Sequence, residues 1–413
     1  MAGPIKILRI VTRLNIGGPA IHVAILSTQL DPKRFRTTVV TGRPAPEEGD
    51  LIALLDGGQA QVERLPSLRQ PLDPLSDIRA LWGLLGILWR ERPAIVHTHM
   101  AKAGTLGRVA GILYNRLGPG RQANQRARLI HTFHGHVLEG YFSARRSQIF
   151  LNIERWLARR TDCMIAVSRR IQQDLLARGI GRPESWRVIP LGLELSALAT
   201  VPERTLTSGQ VLRCGLIGRL VPIKHPELFI DTVGHLAEKK TKPPIMGIIV
   251  GDGALRGALE ARVRENNWQD HLQFTGWKRE LVQVYSDLDV VCVTSWNEGT
   301  PVAMIEAMAA GRAVIATDVG GVRDVLEDST MPEAVIPQGG YQVTSRGILI
   351  RAGDKDALAK AMEKLAHDPD LRLRLGRASR EHVVRRFAHE RLLRDMTGLY
   401  EELTGKEGDG GNS

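Results

Sequence analysis

Cysteine is scarce: three residues in 413, Cys163, Cys214 and Cys292. They lie far apart in predicted strands, with no CxxC and no spacing for a zinc site, which excludes a disulfide-stapled secreted scaffold. They read as small core residues of a reducing cytosol. Long apolar runs are missing too. No stretch approaches the ~18 residues that cross a bilayer, and the first apolar run carries Lys6 and Arg9, too charged for a signal peptide. Aromatic residues are only 5% of the chain. Few are interleaved with basic ones, so nucleic acid is not an expected partner. No GxxxxGK[ST] occurs, which excludes ordinary P-loop chemistry. The second predicted strand, Arg36-Thr-Thr-Val-Val-Thr41, ends in Gly42-Arg43-Pro44 where a dinucleotide fold needs an acidic residue, so NAD is disfavoured.

Acidic residues are outnumbered, 45 against 56 basic, a formal charge of +11. The excess crowds residues 121–160. It fits a solvated surface, an anionic membrane face or anionic substrates.

What the chain does have is alternation. Predicted strands at 5–11, 36–41, 94–99, 129–134 and 163–167 are separated by helical stretches. One helix is capped by Ser76-Asp77 and another by Ser168. The pattern restarts with strands at 212–217, 245–250, 272–276, 288–294, 313–317 and 347–350. Such alternation implies parallel sheets covered by helices, in two domains for a chain this long. The expected boundaries are a first domain over 1–197, a Thr/Pro/Ser-rich linker over 198–209, a second domain over 210–386, a helix over 387–405 and a flexible tail over 406–413.

In such sheets functional groups gather at the carboxyl ends of strands. There stand Gly17-Gly18-Pro19, whose glycines allow close approach to a phosphate, and four histidines, His97, His99, His134 and His136. Neither histidine pair has a Glu or Cys at ligand spacing, so no metal is expected. One neutral histidine is expected to face a cleft while the others hydrogen-bond backbone. After the 212–217 strand come Gly218, Arg219 and Lys224: a guanidinium that grips phosphate oxygens bidentately and a mobile ammonium, suited to a diphosphate. After the 288–294 strand come Asn297-Glu-Gly-Thr-Pro-Val-Ala-Met-Ile-Glu-Ala-Met-Ala-Ala-Gly311. Pro301 is placed to open a helix and Gly311 to close it. The helix is apolar except for Glu306, whose carboxylate therefore needs protein donors or a ligand hydroxyl. Glu298 lies in the loop before it, beside the free backbone N–H groups of Gly299 and Thr300.

In this order Gly218-Arg219…Lys224, Gly251-Asp252-Gly253…Arg256, Phe274-Thr-Gly276, Glu298 and Glu306, and Asp318-Val-Gly-Gly321 resemble the nucleotide-sugar glycosyltransferases of family 4, over nearly the whole chain. The resemblance implies an α/β GT-B fold, two Rossmann-like domains facing a cleft, and retaining sugar transfer without an essential metal or other cofactor. It implies that Arg219 and Lys224 neutralise the departing diphosphate, that Glu306 binds ribose and that Glu298 meets the transferred sugar. Gly299, Thr300 and Pro301 would hold a phosphate, with Gly17, Gly18 and Gly218 allowing its approach and His134 beside the donor sugar. The implied partners are a nucleotide-diphosphate sugar and a glycan or lipid-linked acceptor in cell-surface polysaccharide or glycolipid synthesis. Expected localisation is cytoplasmic, with peripheral attachment to the inner membrane face. A nucleotide-sugar epimerase of the same architecture and an inactive sugar-nucleotide-binding scaffold are the alternative readings. Three departures stand out: Leu191-Gly192 where the family often has Asn-Gly, His225 where Gly is common, and Trp296-Asn297 where Ser-Glu is frequent.

Overall fold

A computed structural model describes residues 3–15, 17–44, 50–56, 58–71, 73–135, 144–205, 210–327 and 335–405. His136 and the 406–413 tail lie outside them. The chain forms two units, one running to Leu193 and resuming at His389, the other Glu194–Ala388.

The first unit contains β1 (Ile5–Val11), α1 (Gly18–Thr28), β2 (Phe35–Thr41), β3 (Gln61–Arg64), α2 (Pro74–Glu91), β4 (Ile95–His99), α3 (Ala101–Leu117), β5 (Arg128–Phe133), α4 (Ala144–Ala158), β6 (Cys163–Ala166), α5 (Arg169–Ala177) and β7 (Trp186–Val188). Its sheet runs β3-β2-β1-β4-β5-β6-β7, every pair parallel. β1 and β4 are buried over almost their whole length, as strands covered on both faces must be. Ser168 caps α5 by accepting from the Ile171 N–H. α2 differs from expectation: its cap is Asp73, which accepts from Leu75 N and from the Ser76 hydroxyl, so Ser76 supports the cap rather than being it.

The second unit contains α6 (Ser196–Ala199), β8 (Leu212–Ile217), α7 (Pro226–Glu238), β9 (Ile245–Val250), α8 (Arg256–Glu265), β10 (Leu272–Gly276), α9 (Leu281–Ser286), β11 (Val290–Val293), α10 (Val302–Ala309), β12 (Ala313–Thr317), α11 (Val322–Leu326), β13 (Tyr341–Val343), β14 (Ile348–Ile350), α12 (Lys355–His367) and α13 (Pro369–Phe387). Its sheet runs β10-β9-β8-β11-β12-β14-β13, parallel except for the terminal β13–β14 pair. Its core joins β8, β9, β11 and β12 to α7, α12 and α13 through Phe229, Ile249, Ile315, Met362 and their neighbours, all buried.

α14 (His389–Thr404) belongs to the first unit. Leu392, Met396, Leu399 and Tyr400 pack on Ile5, Ile7 and Phe35 behind that sheet. The unit boundary falls at residue 194, earlier than the expected linker. Leu198 and Val201 are buried, and α6 packs on α9, α10 and α13, so those residues are anchored by apolar contacts that a Thr/Pro/Ser-rich composition hides. Among the described residues no helix is long and apolar enough to cross a membrane.

Candidate functional site

The strand order reverses between β1 and β4 in the first sheet and between β8 and β11 in the second. Ligands of open α/β sheets bind outside the strand ends at such a reversal. The singled-out residues cluster there, in each unit separately.

In the second unit Arg219 and Lys224 leave β8, while Glu298 follows β11. Lys224 Nζ lies 2.5 Å from Glu298 Oε1, and the Ser295 hydroxyl donates to the same oxygen at 2.6 Å. Glu298 is thus a buried carboxylate tied to a lysine. The backbone around the pair is braced. Thr294 Oγ1 sits 2.9 and 3.0 Å from the carbonyls of Lys224 and His225, Trp296 N donates to Ile223 O, and Thr317 Oγ1 donates to Ser295 O. Arg219 is half-buried and, among the described residues, its guanidinium has no acidic partner. Gly218 turns the chain at φ 147, and a Cβ there would meet open space. Two loops interlock behind it: a Cβ on Gly251 would stand 1.9 Å from the Gly218 carbonyl, and Gly251 N donates to Gly276 O. Arg256 is held by Asp252 at 2.7 Å and Glu260 at 2.8 Å, which ties the Gly251-Asp-Gly253 turn to α8.

Two of the departures from the family pattern meet. His225 adopts a left-handed conformation, φ 46, which glycine takes freely and histidine does not. Its ring stacks on Trp296, centroids 4.4 Å apart and planes 17° from parallel. The stack and the Thr294 hydrogen bond hold the strained turn beside Lys224.

Pro301 caps α10 from just outside instead of opening it, and Gly311 ends it at φ 67. Met304, Ile305, Ala307, Met308 and Ala309 are buried, whereas Val302, Ala303 and Glu306 are only partly so; the carboxylate lies on the more open side. The Tyr285 hydroxyl donates to Glu306 Oε2 at 2.7 Å. Burial pushes the Glu306 carboxyl up to about 7, against the pull of that hydrogen bond. No sequence pattern singled out Tyr285 as this partner. Before α10, Thr300 Oγ1 is buried without a partner among the described residues.

In the first unit Gly17 precedes α1, which begins at Gly18. His22, one turn on, is buried with both ring nitrogens unpaired among the described residues, and stands edge-on to His134 at 5.1 Å and His99 at 5.7 Å. His99 Nδ1 lies 3.0 Å from His134 Nε2. Beneath them the fully buried Arg9 places Nη1 3.0 Å from His97 Nδ1, 3.5 Å from His99 Nε2 and 3.1 Å from the Tyr400 hydroxyl. His97 Nε2 reaches Thr132 Oγ1 at 2.7 Å. Among the described residues His97, His99 and His134 therefore bond to side chains, not to backbone as expected. Burial holds His22, His97, His99 and His131 well below the usual imidazole range and His134 at about 4, so all are neutral near pH 7.

His22, His99 and His134 each bring a ring nitrogen within 4.8 Å of the others, a triad that spacing alone did not reveal. Its chemistry does not fit a metal ion. A metal-bound histidine normally donates its second N–H to an acceptor. Here the second nitrogen of His99 faces a guanidinium, which can only donate. Donation into Nε2 leaves the proton on Nδ1, directed at His134, and a buried cation this close opposes a second one. With its Nε2 accepting, neutral His134 carries its proton on Nδ1.

Comparison with known proteins agrees with this architecture. Residues 17–192 match the family described as glycosyl transferase 4-like domain, and residues 212–382 the family described as glycosyl transferases group 1. A UDP-Gal:alpha-D-GlcNAc-diphosphoundecaprenol alpha-1,3-galactosyltransferase of Escherichia coli is 25% identical over 86% of this chain and 87% of its own. Among solved structures, sucrose-phosphate synthase from Thermosynechococcus elongatus superposes with a TM-score of 0.75 at 21% identity, covering 97% of this chain and all of that one. Anabaena HepE in complex with UDP gives 0.73 at 19%, covering 96% and 100%. Two seven-stranded sheets, parallel but for one terminal pair and matched across both halves by these two families, place this chain among the GT-B glycosyltransferases of family 4.

Proposed function

We propose that the protein moves a sugar from a nucleotide-diphosphate donor to a glycan or lipid-linked acceptor, retaining the anomeric configuration, in cell-surface polysaccharide or glycolipid synthesis on the cytoplasmic side. The observation that carries this reading is the meeting of Lys224, Glu298 and Ser295 at the reversal point of the second sheet, with Arg219 half-buried just after β8. The Escherichia coli relative, named for a UDP-sugar donor and a lipid-diphosphate acceptor, supports the same substrate classes.

Breaking a glycosyl–phosphate bond leaves negative charge on the departing diphosphate, and preorganised cations at that oxygen lower the barrier directly. Arg219 and Lys224 supply them. Gly299, Thr300 and Pro301 form the turn that receives a phosphate, with Gly218 leaving room for it. Glu298 is anchored to accept a hydroxyl of the sugar, and Glu306 accepts from the ribose. A leaving group this good needs no carboxylic acid to protonate it, unlike a glycosidase substrate. In the first unit the same reading gives Gly17 and Gly18 a phosphate to approach and His134 a hydroxyl to receive its Nδ1 proton. No resident metal is assigned.

Thermal-shift screening against a panel of nucleotide sugars identifies the donor, because a ligand that prefers the native state raises Tm. Product analysis then decides the reaction. Nucleotide diphosphate released only when acceptor is present, with an α-linked product from an α-linked donor, is the expected outcome. An isomerised sugar still joined to its nucleotide would establish epimerisation instead, and binding without turnover would establish a scaffold.

Glu306 makes the donor interaction pH-dependent. Its carboxyl titrates near 7 in the folded protein and near 4.5 when unfolded, so the native state holds the extra proton in between. This group's contribution to stability consequently falls as pH rises from about 4.5 to about 7, and is flat above. The ionised carboxylate accepts ribose hydroxyls more strongly than the neutral acid does. Donor affinity should weaken as pH drops below about 7, and Glu306→Gln should lower affinity and flatten the profile. Tyr285→Phe removes a donor to the carboxylate and should move the midpoint upward. Isothermal titration calorimetry across that range checks all three; a pH-independent Kd in the unmodified protein removes Glu306 from the ribose.

A further inference from the structure

The buried strand β1 alternates between two cores. Leu8 and Ile10 join the one beneath α2 and α3, while Ile5 and Ile7 pack on the opposite face with Leu392, Met396 and Leu399 of α14. Two residues on, that second face receives Arg9, which has no exposed surface. A charge taken fully out of water ordinarily has an opposite charge beside it. Arg108, equally without exposed surface, has one: its Nη2 donates to both carboxylate oxygens of Glu154 at 2.7 Å. Among the described residues no carboxylate meets Arg9. Its partners are all neutral: the Ser27 and Tyr400 hydroxyls, the Leu26 carbonyl, His97 and His99.

Most of those partners do not depend on it. Ser27 also donates to the Val23 carbonyl at 2.6 Å, and His97 keeps Tyr400 at 2.7 Å on one nitrogen and Thr132 at 2.7 Å on the other. Removing the guanidinium would leave the Leu26 carbonyl and His99 Nε2 short of a donor, while ending the burial of an uncompensated charge. The arginine is therefore a poor stabiliser of its surroundings. What it governs is direction. A guanidinium can only donate, so the imidazoles that face it must accept. Burial, and after it the guanidinium itself, holds His97 well below the usual imidazole range, which keeps that ring neutral and able to accept. Nη1 lies 3.5 Å from His99 Nε2, His99 Nδ1 lies 3.0 Å from His134 Nε2, and no described residue engages His134 Nδ1. One fixed donor at the base of this column sets the protons above it.

We propose that Arg9 is a positioning residue for sugar transfer: acting through His99, it keeps the proton of His134 on Nδ1, where a sugar hydroxyl can receive it. Without the guanidinium the His99–His134 pair has two arrangements with the same number of hydrogen bonds, the shared proton resting on His99 Nδ1 in one and on His134 Nε2 in the other. The second makes His134 Nδ1 an acceptor. It then no longer donates to the hydroxyl. The inference rests on the transfer reading for the role of that hydroxyl, and goes beyond it by giving a function to a side chain sealed beneath the site.

Arg9→Met tests it, because methionine keeps a long apolar stem and removes the donor and the charge. The variant should melt at the same temperature as the unmodified protein or higher, while kcat/KM falls roughly tenfold, the scale of one misdirected hydrogen bond. Nitrogen NMR of isotope-labelled histidine rings should show His134 change from the Nδ1-protonated form to a mixture of both tautomers. His99→Leu interrupts the column while leaving the other bonds of Arg9 in place, and should give the same mixture and a similar loss. The double variant should lose no more than either single one, since both changes act on one proton. Unchanged ring signals or unchanged kcat/KM in folded Arg9→Met would overturn the assignment. Should that variant not fold, unchanged His134 signals in His99→Leu overturn it equally. The ring signals are read on the free protein, so they decide the matter independently of turnover; absence of sugar transfer by the unmodified protein would instead overturn the transfer reading.

Discussion

Replacing Lys224 with alanine should lower kcat by on the order of 10²-fold, about 2.7 kcal/mol of transition-state stabilisation. The ammonium is the most firmly fixed cation at the end of β8: Glu298 holds its tip at 2.5 Å, and Thr294 reaches its carbonyl and that of the following residue. A cation already in place when the diphosphate departs acts at full strength, because no reorganisation is required as charge develops. Donor Kd should change much less than kcat, since the effect is concentrated on charge that appears during bond cleavage. The fold should survive. The lysine side chain is 30% exposed, and Glu298 keeps its hydrogen bond from Ser295 after the substitution. Lys224→Arg should recover only part of the activity, since a planar fork does not occupy the place of a compact ammonium. Steady-state kinetics with circular dichroism melting separates the two effects. An unchanged kcat in the folded alanine variant would strip Lys224 of its role.

The architecture was readable from the sequence because it rests on local patterns. Buried parallel strands are continuous apolar runs, as in Val290–Val293 and Ala313–Thr317, and the turns after them are marked by glycine. Charged residues placed after such strands could be assigned to the strand ends without knowing any contact. Side-chain partners were a different matter. Nothing near Glu306 in the chain announces Tyr285, which arrives from α9, and nothing near Arg9 announces Tyr400, 391 residues away on α14. His22 was overlooked because it lies inside a helix with ordinary neighbours; only the tertiary placement of α1 sets it opposite His99 and His134. The anchoring of residues 198–201 was hidden for a related reason. Composition weighed Thr, Pro and Ser, whereas Leu198 and Val201, two apolar side chains among them, decided the packing. The departures at 225 and 296 looked unrelated 71 positions apart, and became one feature once their rings were seen stacked.

The Asp318-Val-Gly-Gly321 turn bears directly on the loop that carries Glu298. Gly320 sits at φ 50, and a Cβ there would stand 1.7 Å from the carbonyl oxygen of Glu298. Gly321 N donates to that same oxygen at 3.2 Å. The glycine therefore sets the height of the loop carrying Glu298, Gly299 and Thr300. Any larger residue must push that loop away, because the obstructing atom is backbone and has no rotamer to change. Gly320→Ala should cost on the order of 10²-fold in kcat/KM, the scale of a displacement near 1 Å in a catalytic group. It should also cost about 1–3 kcal/mol of stability from the forced contact. Gly257→Ala, in the first turn of α8 with open space around its Cβ, is the matched control: the same change of residue should leave activity intact and stability equal or slightly raised. Loss of activity in Gly320→Ala alone, with the folded state confirmed by circular dichroism, would tie the turn to the position of Glu298. Equal activity in both variants would show that the loop yields at no cost and that Glu298 need not stand where β12 and its turn hold it.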